Sequence, residues 1–117
     1  MSTLFTKIIN REIPSTIEYE DDEFIAFRDI HPAAPIHVLL VPKKEYATLE
    51  DVDSTDNEFH AKLLVTARKV AQKLGIEKNY KLIMNVGAQM QQVPHVHLHI
   101  MGGWDAKKIE ELQAKGI

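Results

Sequence analysis

The sequence predicts an α+β fold: an antiparallel five-stranded sheet carrying one long helix, with a short helix at each end of the chain. Three features carry that expectation. Only the segment between Thr55 and Gly75 holds an apolar stripe at helical spacing over several turns. Five short runs have the alternation or the β-propensity of strands. The connections within the two strand groups are tight, which favours antiparallel pairing over parallel crossovers.

Taken in order, Leu4, Phe5, Ile8 and Ile9 recur at helical spacing, and Pro14 limits that helix to about two turns. Thr16 to Tyr19 and Phe24 to Phe27 read as two strands joined at Asp21-Asp22 as a hairpin. The prolines of Asp29-Ile30-His31-Pro32-Ala33-Ala34-Pro35 forbid regular structure and favour a fixed loop. His37 to Val41 is a β-prone run ended by Pro42. Thr55 and Glu58 have the spacing of a capping box, and Gly75 is placed to end the long helix. Its apolar stripe is Phe59, Leu63, Ala67, Val70 and Leu74. Tyr80 to Val86 forms a further strand, Gly87 opens a turn, and the last strand begins at His95. Asp105 caps a short final helix carrying Ile109 and Leu112, closed by Gly116. Residues 1–117 then make a single domain, with 105–116 as a helical tail.

Composition narrows the function classes. Hydrophobic residues make up 44% and charged residues 26%, as in an ordinary globular chain. A net charge of -3 leaves no electrostatic footprint for nucleic acid or an anionic membrane. The absence of cysteine excludes disulfides, thiolate zinc sites and cysteine nucleophiles together. No apolar run approaches the roughly 20 residues of a membrane span. Met1-Ser2-Thr3 leads directly into an amphipathic segment rather than a signal peptide. A soluble, cytoplasmic protein is expected.

The chemistry concentrates in His95-Val96-His97-Leu98-His99-Ile100. Strand side chains alternate faces, so Val96, Leu98 and Ile100 bury one face while the three imidazoles emerge on the other. Histidine titrates near neutral pH and can serve as base, acid, nucleophile or metal ligand. One reading is a zinc site, with His37 as a fourth ligand. Three alternate positions span roughly 13 Å of strand, so the outer rings would have to lean far inward to share an ion. No acidic residue lies close in sequence to support such ligands. The other reading is nucleophilic attack at phosphorus, with neighbouring imidazoles binding the non-bridging oxygens and moving protons. His31, in the proline loop, is expected at the pocket rim or in solvent, and His60, off the stripe of the long helix, on a solvated face; both stand outside the two readings.

The histidine run resembles the His-φ-His-φ-His-φ signature (φ hydrophobic) of the histidine triad superfamily. The blocks Leu4-Phe5-Thr6-Lys7-Ile8-Ile9, Phe27-Arg28-Asp29-Ile30-His31-Pro32, Ala34-Pro35-Ile36-His37-Val38-Leu39-Leu40-Val41-Pro42-Lys43-Lys44, Asn85-Val86-Gly87 and Met101-Gly102-Gly103 are similar to its Hint branch of purine nucleoside phosphoramidate hydrolases. The resemblance implies the histidine-triad fold, no cofactor and no metal. It implies that His97 attacks the α-phosphorus to give a nucleotidyl-histidine, which water hydrolyses to the nucleoside monophosphate. His37 and His95 match positions that handle protons and the leaving group, and His99 matches a phosphate ligand. Asn85, Gln91 and Gln92 fall at the phosphate and leaving-group end. Asp29 matches the carboxylate that binds the ribose hydroxyls. Leu4, Phe5, Ile8, Ile13, Phe27 and Ile30 match the apolar slot for the purine.

The resemblance further implies a homodimer, joined through the long helix and the strand beside it into one continuous sheet. The implied partner is a purine nucleotide, AMP, GMP or a phosphoramidate of either, with no nucleic acid or membrane. The chain departs from the pattern in three places. The Asn85-to-His95 stretch is one residue short, Met90 stands where glycine is usual, and Gln92 replaces a hydroxyl residue. These departures predict retained chemistry with a different rate or leaving-group preference. A purine nucleotide-binding or scaffolding protein with weak or lost catalysis is the alternative. Trp104 lies in a tail unlike the usual proline-containing end, where it either caps the core or the dimer seam or reaches the partner's site.

Overall fold

The computed structural model describes residues 3–116, so Met1, Ser2 and Ile117 of the expected domain lie outside the described residues. The chain starts with helix α1 (Leu4–Ile9), whose N-cap Thr3 accepts the Thr6 amide on its hydroxyl. Strands β1 (Ile17–Glu20) and β2 (Phe24–Arg28) follow as the expected hairpin. Asp21 fixes its turn by accepting the Glu23 and Phe24 amides on one carboxylate oxygen. Strand β3 (Ile36–Pro42) leads through a 3-10 turn (Leu49–Asp51) to the long helix α2 (Asn57–Lys73). Strands β4 (Tyr80–Ile83) and β5 (Leu98–Gly102) and helix α3 (Ala106–Ala114) complete it.

All neighbouring strands are antiparallel, in the order β1-β2-β3-β5-β4. The last strand thus inserts between β3 and β4, which brings the C-terminal histidines against the strand that carries His37. Alternation splits the sheet into two apolar faces. Phe24, Ala26, Val38, Leu40, Leu98 and Ile100 pack beneath Leu63, Ala67 and Val70 of α2. Ile25, Phe27, Leu39 and Val41 face the other way, against Phe5 and Ile8 of α1. The histidine face of β5 is this second face, so the site lies on the α1 side of the sheet.

The bounds of β1, β2 and β3 lie within one residue of the expectation, and three further boundaries differ for a local reason. Helix α2 is capped by Asp56, whose carboxylate accepts the Phe59 amide at 3.0 Å. Thr55 instead donates its hydroxyl to Asp53, and the capping box sits earlier, between Thr48 and Asp51. Strand β4 stops pairing at Ile83, opposite His99, rather than running to Val86. Strand β5 begins only at Leu98. Continuing its register with β3 would set Val96 opposite Pro42, which has no N–H to offer. The Val96 amide turns to the Tyr46 carbonyl at 2.8 Å instead, so His95 and His97 precede the ladder.

The final helix forms as expected: the Asp105 carboxylate accepts the Lys108 amide, and Gly116 follows the helix at φ +74°. Trp104 is half-buried on its own chain, with the Lys81 ammonium over its ring at 5.5 Å from the ring centre.

Candidate active site

His97 sits at the bottom of the site, 5% exposed, with the edge of the Phe5 ring packed at 5.0 Å between centres. Its Nδ1 lies 2.8 Å from the main-chain carbonyl of His95. A carbonyl only accepts, so Nδ1 carries the hydrogen and Nε2 keeps its lone pair. That is the form an imidazole nucleophile requires.

His37 and His99 form a second unit. In the β3–β5 register Leu39 faces His99 and His37 faces Met101, so the two imidazoles are diagonal neighbours on one face. The Ala33 amide donates to His37 Nδ1 at 2.9 Å, which leaves the hydrogen of the neutral ring on Nε2. His37 Nε2–H then donates to His99 Nδ1 at 2.8 Å, and the hydrogen of His99 is assigned to Nε2. Burial pushes both rings toward the neutral form. For His99, burial and then the neighbouring His97 and His37 lower the pKa to about 4, partly offset by Asp29. For His37, burial lowers it and the Asp29 carboxylate works against the shift.

Asp29, His37 and His99 place three ligand atoms within 4.8 Å of one another, a spacing that invites the metal question. The donors argue against it. His37 Nε2 must carry its hydrogen while Nδ1 accepts from Ala33, so ligating a cation there would break the Ala33 bond or require an imidazolate. Instead the two imidazoles are hydrogen-bonded to each other, and Asp29 Oδ2 lies 3.5 Å from His37 Nε2. Asp29 Oδ1 accepts the His31 amide at 2.9 Å, the turn-forming contact its position before the proline loop suggests.

His95 does not emerge beside the other two. It is completely buried, donating from Nε2 to the Pro42 carbonyl at 2.8 Å, with Nδ1 2.9 Å from the Thr3 hydroxyl. The expectation of three imidazoles on one open face is corrected here. Once the ladder starts at Leu98, the chain at His95 turns its ring behind His97 rather than into the opening.

Two hollows meet at the imidazoles. An apolar slot of about 200 Å³ is lined by all six expected residues, Leu4, Phe5, Ile8, Ile13, Phe27 and Ile30. Ile30 is 80% exposed and stands at its mouth. Leu39 and Val93 also line it. Leu39 was legible as the residue two beyond His37 on one strand face; Val93 carries no such signal. A polar hollow of about 450 Å³ is bounded by His37, Asn85, Met90 and residues shared with the slot. Those shared residues are Asp29, His31, Gln92, His97 and His99. His31, expected at the rim or in solvent, is an exposed wall of both hollows. Gln91 borders neither. Its amide oxygen accepts the Gly87 amide, and its nitrogen donates to the Ala47 and Val93 carbonyls, which pins the loop that turns at Gly87.

Comparison with known proteins places the chain in a family. A family model described as HIT domain matches residues 10–106. An uncharacterised HIT-like protein of Synechocystis is 49% identical over 102 residues, covering 86% of this chain and 90% of that one. The purine nucleoside phosphoramidase of Escherichia coli K12 is 45% identical over 103 residues, covering 86% and 87%. The crystal structure of a HIT family hydrolase from Legionella pneumophila superposes with a TM-score of 0.82 at 45% identity, covering 89% and 95%. The chain belongs to the HIT domain family.

Proposed function

We propose that the protein hydrolyses purine nucleoside phosphoramidates through a nucleotidyl intermediate on His97. The observation that carries this reading is the His97 tautomer: Nε2 is left unprotonated where an apolar slot meets a polar hollow. The slot accepts the purine between Phe5, Ile8 and Phe27, and apolar walls of this kind discriminate weakly between adenine and guanine. Asp29 retains lone pairs beyond its bond to His31 and accepts the ribose hydroxyls. The phosphoryl group lies at the junction, with the leaving amine toward Asn85, Met90 and Gln92.

In the first step the Nε2 lone pair of His97 forms the N–P bond. The P–N bond to the amine breaks, its electron pair stays on the amine nitrogen, and that nitrogen takes a proton. Neutral His99 donates its Nε2–H as a hydrogen bond to the phosphoryl oxygens, and water entering the polar hollow supplies that proton. His37 holds the His99 tautomer from behind. In the second step water attacks phosphorus, the bond from phosphorus to His97 breaks with its electron pair returning to Nε2, the proton of the attacking water passes to solvent, and the nucleoside monophosphate and free His97 are released. No metal is needed in this scheme.

The reading includes a homodimer. Leu64 and Val65 on α2 are 56% and 46% exposed, and Leu82 and Ile83 on the sheet-edge strand β4 are 37% and 41% exposed. Pairing two such edges under paired helices covers these side chains and satisfies the open edge of β4. A second reading, nucleotide binding without turnover, draws on Gln91, whose amide closes the short loop instead of facing phosphate. The two separate in one assay. Adenosine 5'-phosphoramidate is incubated with the protein in excess chelator; turnover is expected, and His97→Ala should abolish it while nucleotide binding persists. Undiminished turnover by His97→Ala would remove the proposed nucleophile.

A further inference from the structure

The bonds behind His97 run out to the surface through residues that belong to neither hollow. Both ends of this chain of contacts are pure acceptors. At the inner end the Pro42 carbonyl takes the hydrogen of His95 Nε2. Burial holds the His95 ring neutral, so its Nδ1 has a lone pair and must receive a hydrogen from Thr3 Oγ1 at 2.9 Å. At the outer end the exposed Glu45 carboxylate accepts the Thr6 hydroxyl and the Thr3 amide. The Thr6 hydroxyl bond lowers the pKa of Glu45, which keeps it an ionised acceptor. With the Thr6 hydrogen directed to Glu45, the Thr3 hydroxyl is free to point at His95. Every hydrogen between the surface and His97 then has one assignment.

We propose that Thr3, backed by Thr6 and Glu45, is a positioning residue that locks the His95 ring and so holds the main-chain carbonyl that sets the His97 tautomer. The contact also ties the nucleophile to the purine slot, because Thr3 is the N-cap of the helix that carries Leu4, Phe5 and Ile8. Thr3 therefore does two separable things: it accepts the Thr6 amide as a cap, at 3.1 Å, and donates to His95. The kinetic part of this inference rests on His97 being the nucleophile of the proposed reaction.

The test uses Thr3→Asp, which keeps a good helix cap but has no hydroxyl hydrogen to give His95. In the wild-type protein, ¹⁵N spectra of the imidazoles should show His95 protonated on Nε2 and His97 protonated on Nδ1. In Thr3→Asp the His97 signals should move toward a mixture of tautomers. The value of kcat should fall about tenfold or more, as expected for a misaimed nucleophile, with KM for adenosine 5'-phosphoramidate nearly unchanged. Thr3→Ser should restore both readouts, and Glu45→Leu should move them in the same direction as Thr3→Asp. A purely structural cap would leave the His97 spectrum and kcat of Thr3→Asp at wild-type values, and that result overturns the proposal. Wild-type kcat in Glu45→Leu would remove Glu45 from it. Loss of wild-type turnover would instead overturn the hydrolase reading, while the imidazole spectra would still decide whether Thr3 sets the tautomer.

Discussion

His99 shows how far residue identity alone carries the argument. Its alternation with Leu98 and Ile100 placed it on the site face, and the structure puts it there, against His37. Its charge state was not legible, because it depends on burial and on a neighbour 62 positions away in sequence. The lowered pKa makes a stability prediction. The unfolded chain binds a proton near the ordinary value of 6.5 and the folded chain only near about 4, so between these values the unfolded state holds more protons. The stabilisation is fully present above 6.5 and is lost as pH falls toward 4. The denaturant midpoint should therefore drop between pH 7 and pH 5, and His99→Asn should flatten that slope. His95 marks the opposite limit: its spacing matched its neighbours, but a proline on the adjacent strand decided where its ring goes. The same holds for Gln91 and Gln92, adjacent in sequence yet divided between loop fastening and the cavity wall.

At the scale of elements, the helices and strands were legible wherever period and capping chemistry agreed. Helix α2 follows its stripe, since Leu63, Ala67 and Val70 are all buried against the sheet. Its start was displaced by one residue because Thr55, Asp56 and the nearby Asp53 are all competent caps, and only tertiary geometry chooses among them. Asp56→Ala should therefore destabilise the fold by about 1 kcal/mol, and Thr55→Ala by less, measured by urea denaturation. Strand β5 was read three residues too early for a reason that concerns two elements at once. Its N-terminal end meets Pro42 of β3, and no pattern within the histidine run reports that. Gly102 shows the reverse case, where an element boundary depends on a small residue. A Cβ there would stand 3.0 Å from Ile76 Cδ1 and 3.2 Å from the Asn79 carbonyl oxygen, so a larger residue would force these neighbours to give by a few tenths of an ångström.

At the scale of the whole molecule, the sheet order is what assembles the site: inserting β5 between β3 and β4 brings together histidines from both halves of the chain. The antiparallel class was legible from tight connections; the insertion was not, because it depends on how the long helix crosses the sheet. No helix among the described residues is long and apolar enough to cross a membrane. The exposed apolar residues of α2 and β4 predict a two-fold dimer in sedimentation at micromolar concentration, and Leu64→Asp combined with Ile83→Asp should give a monomer. Sedimentation of the wild-type chain as a monomer would contradict that assembly. The claim on which the rest depends is that His97 Nε2 attacks phosphorus. A single-turnover reaction with adenosine 5'-phosphoramidate, quenched and read by intact mass, tests it most directly. A transient nucleotide adduct that localises to His97 and is absent in His97→Ala is expected, whereas tight nucleotide binding with no adduct at any time would rule out attack by His97.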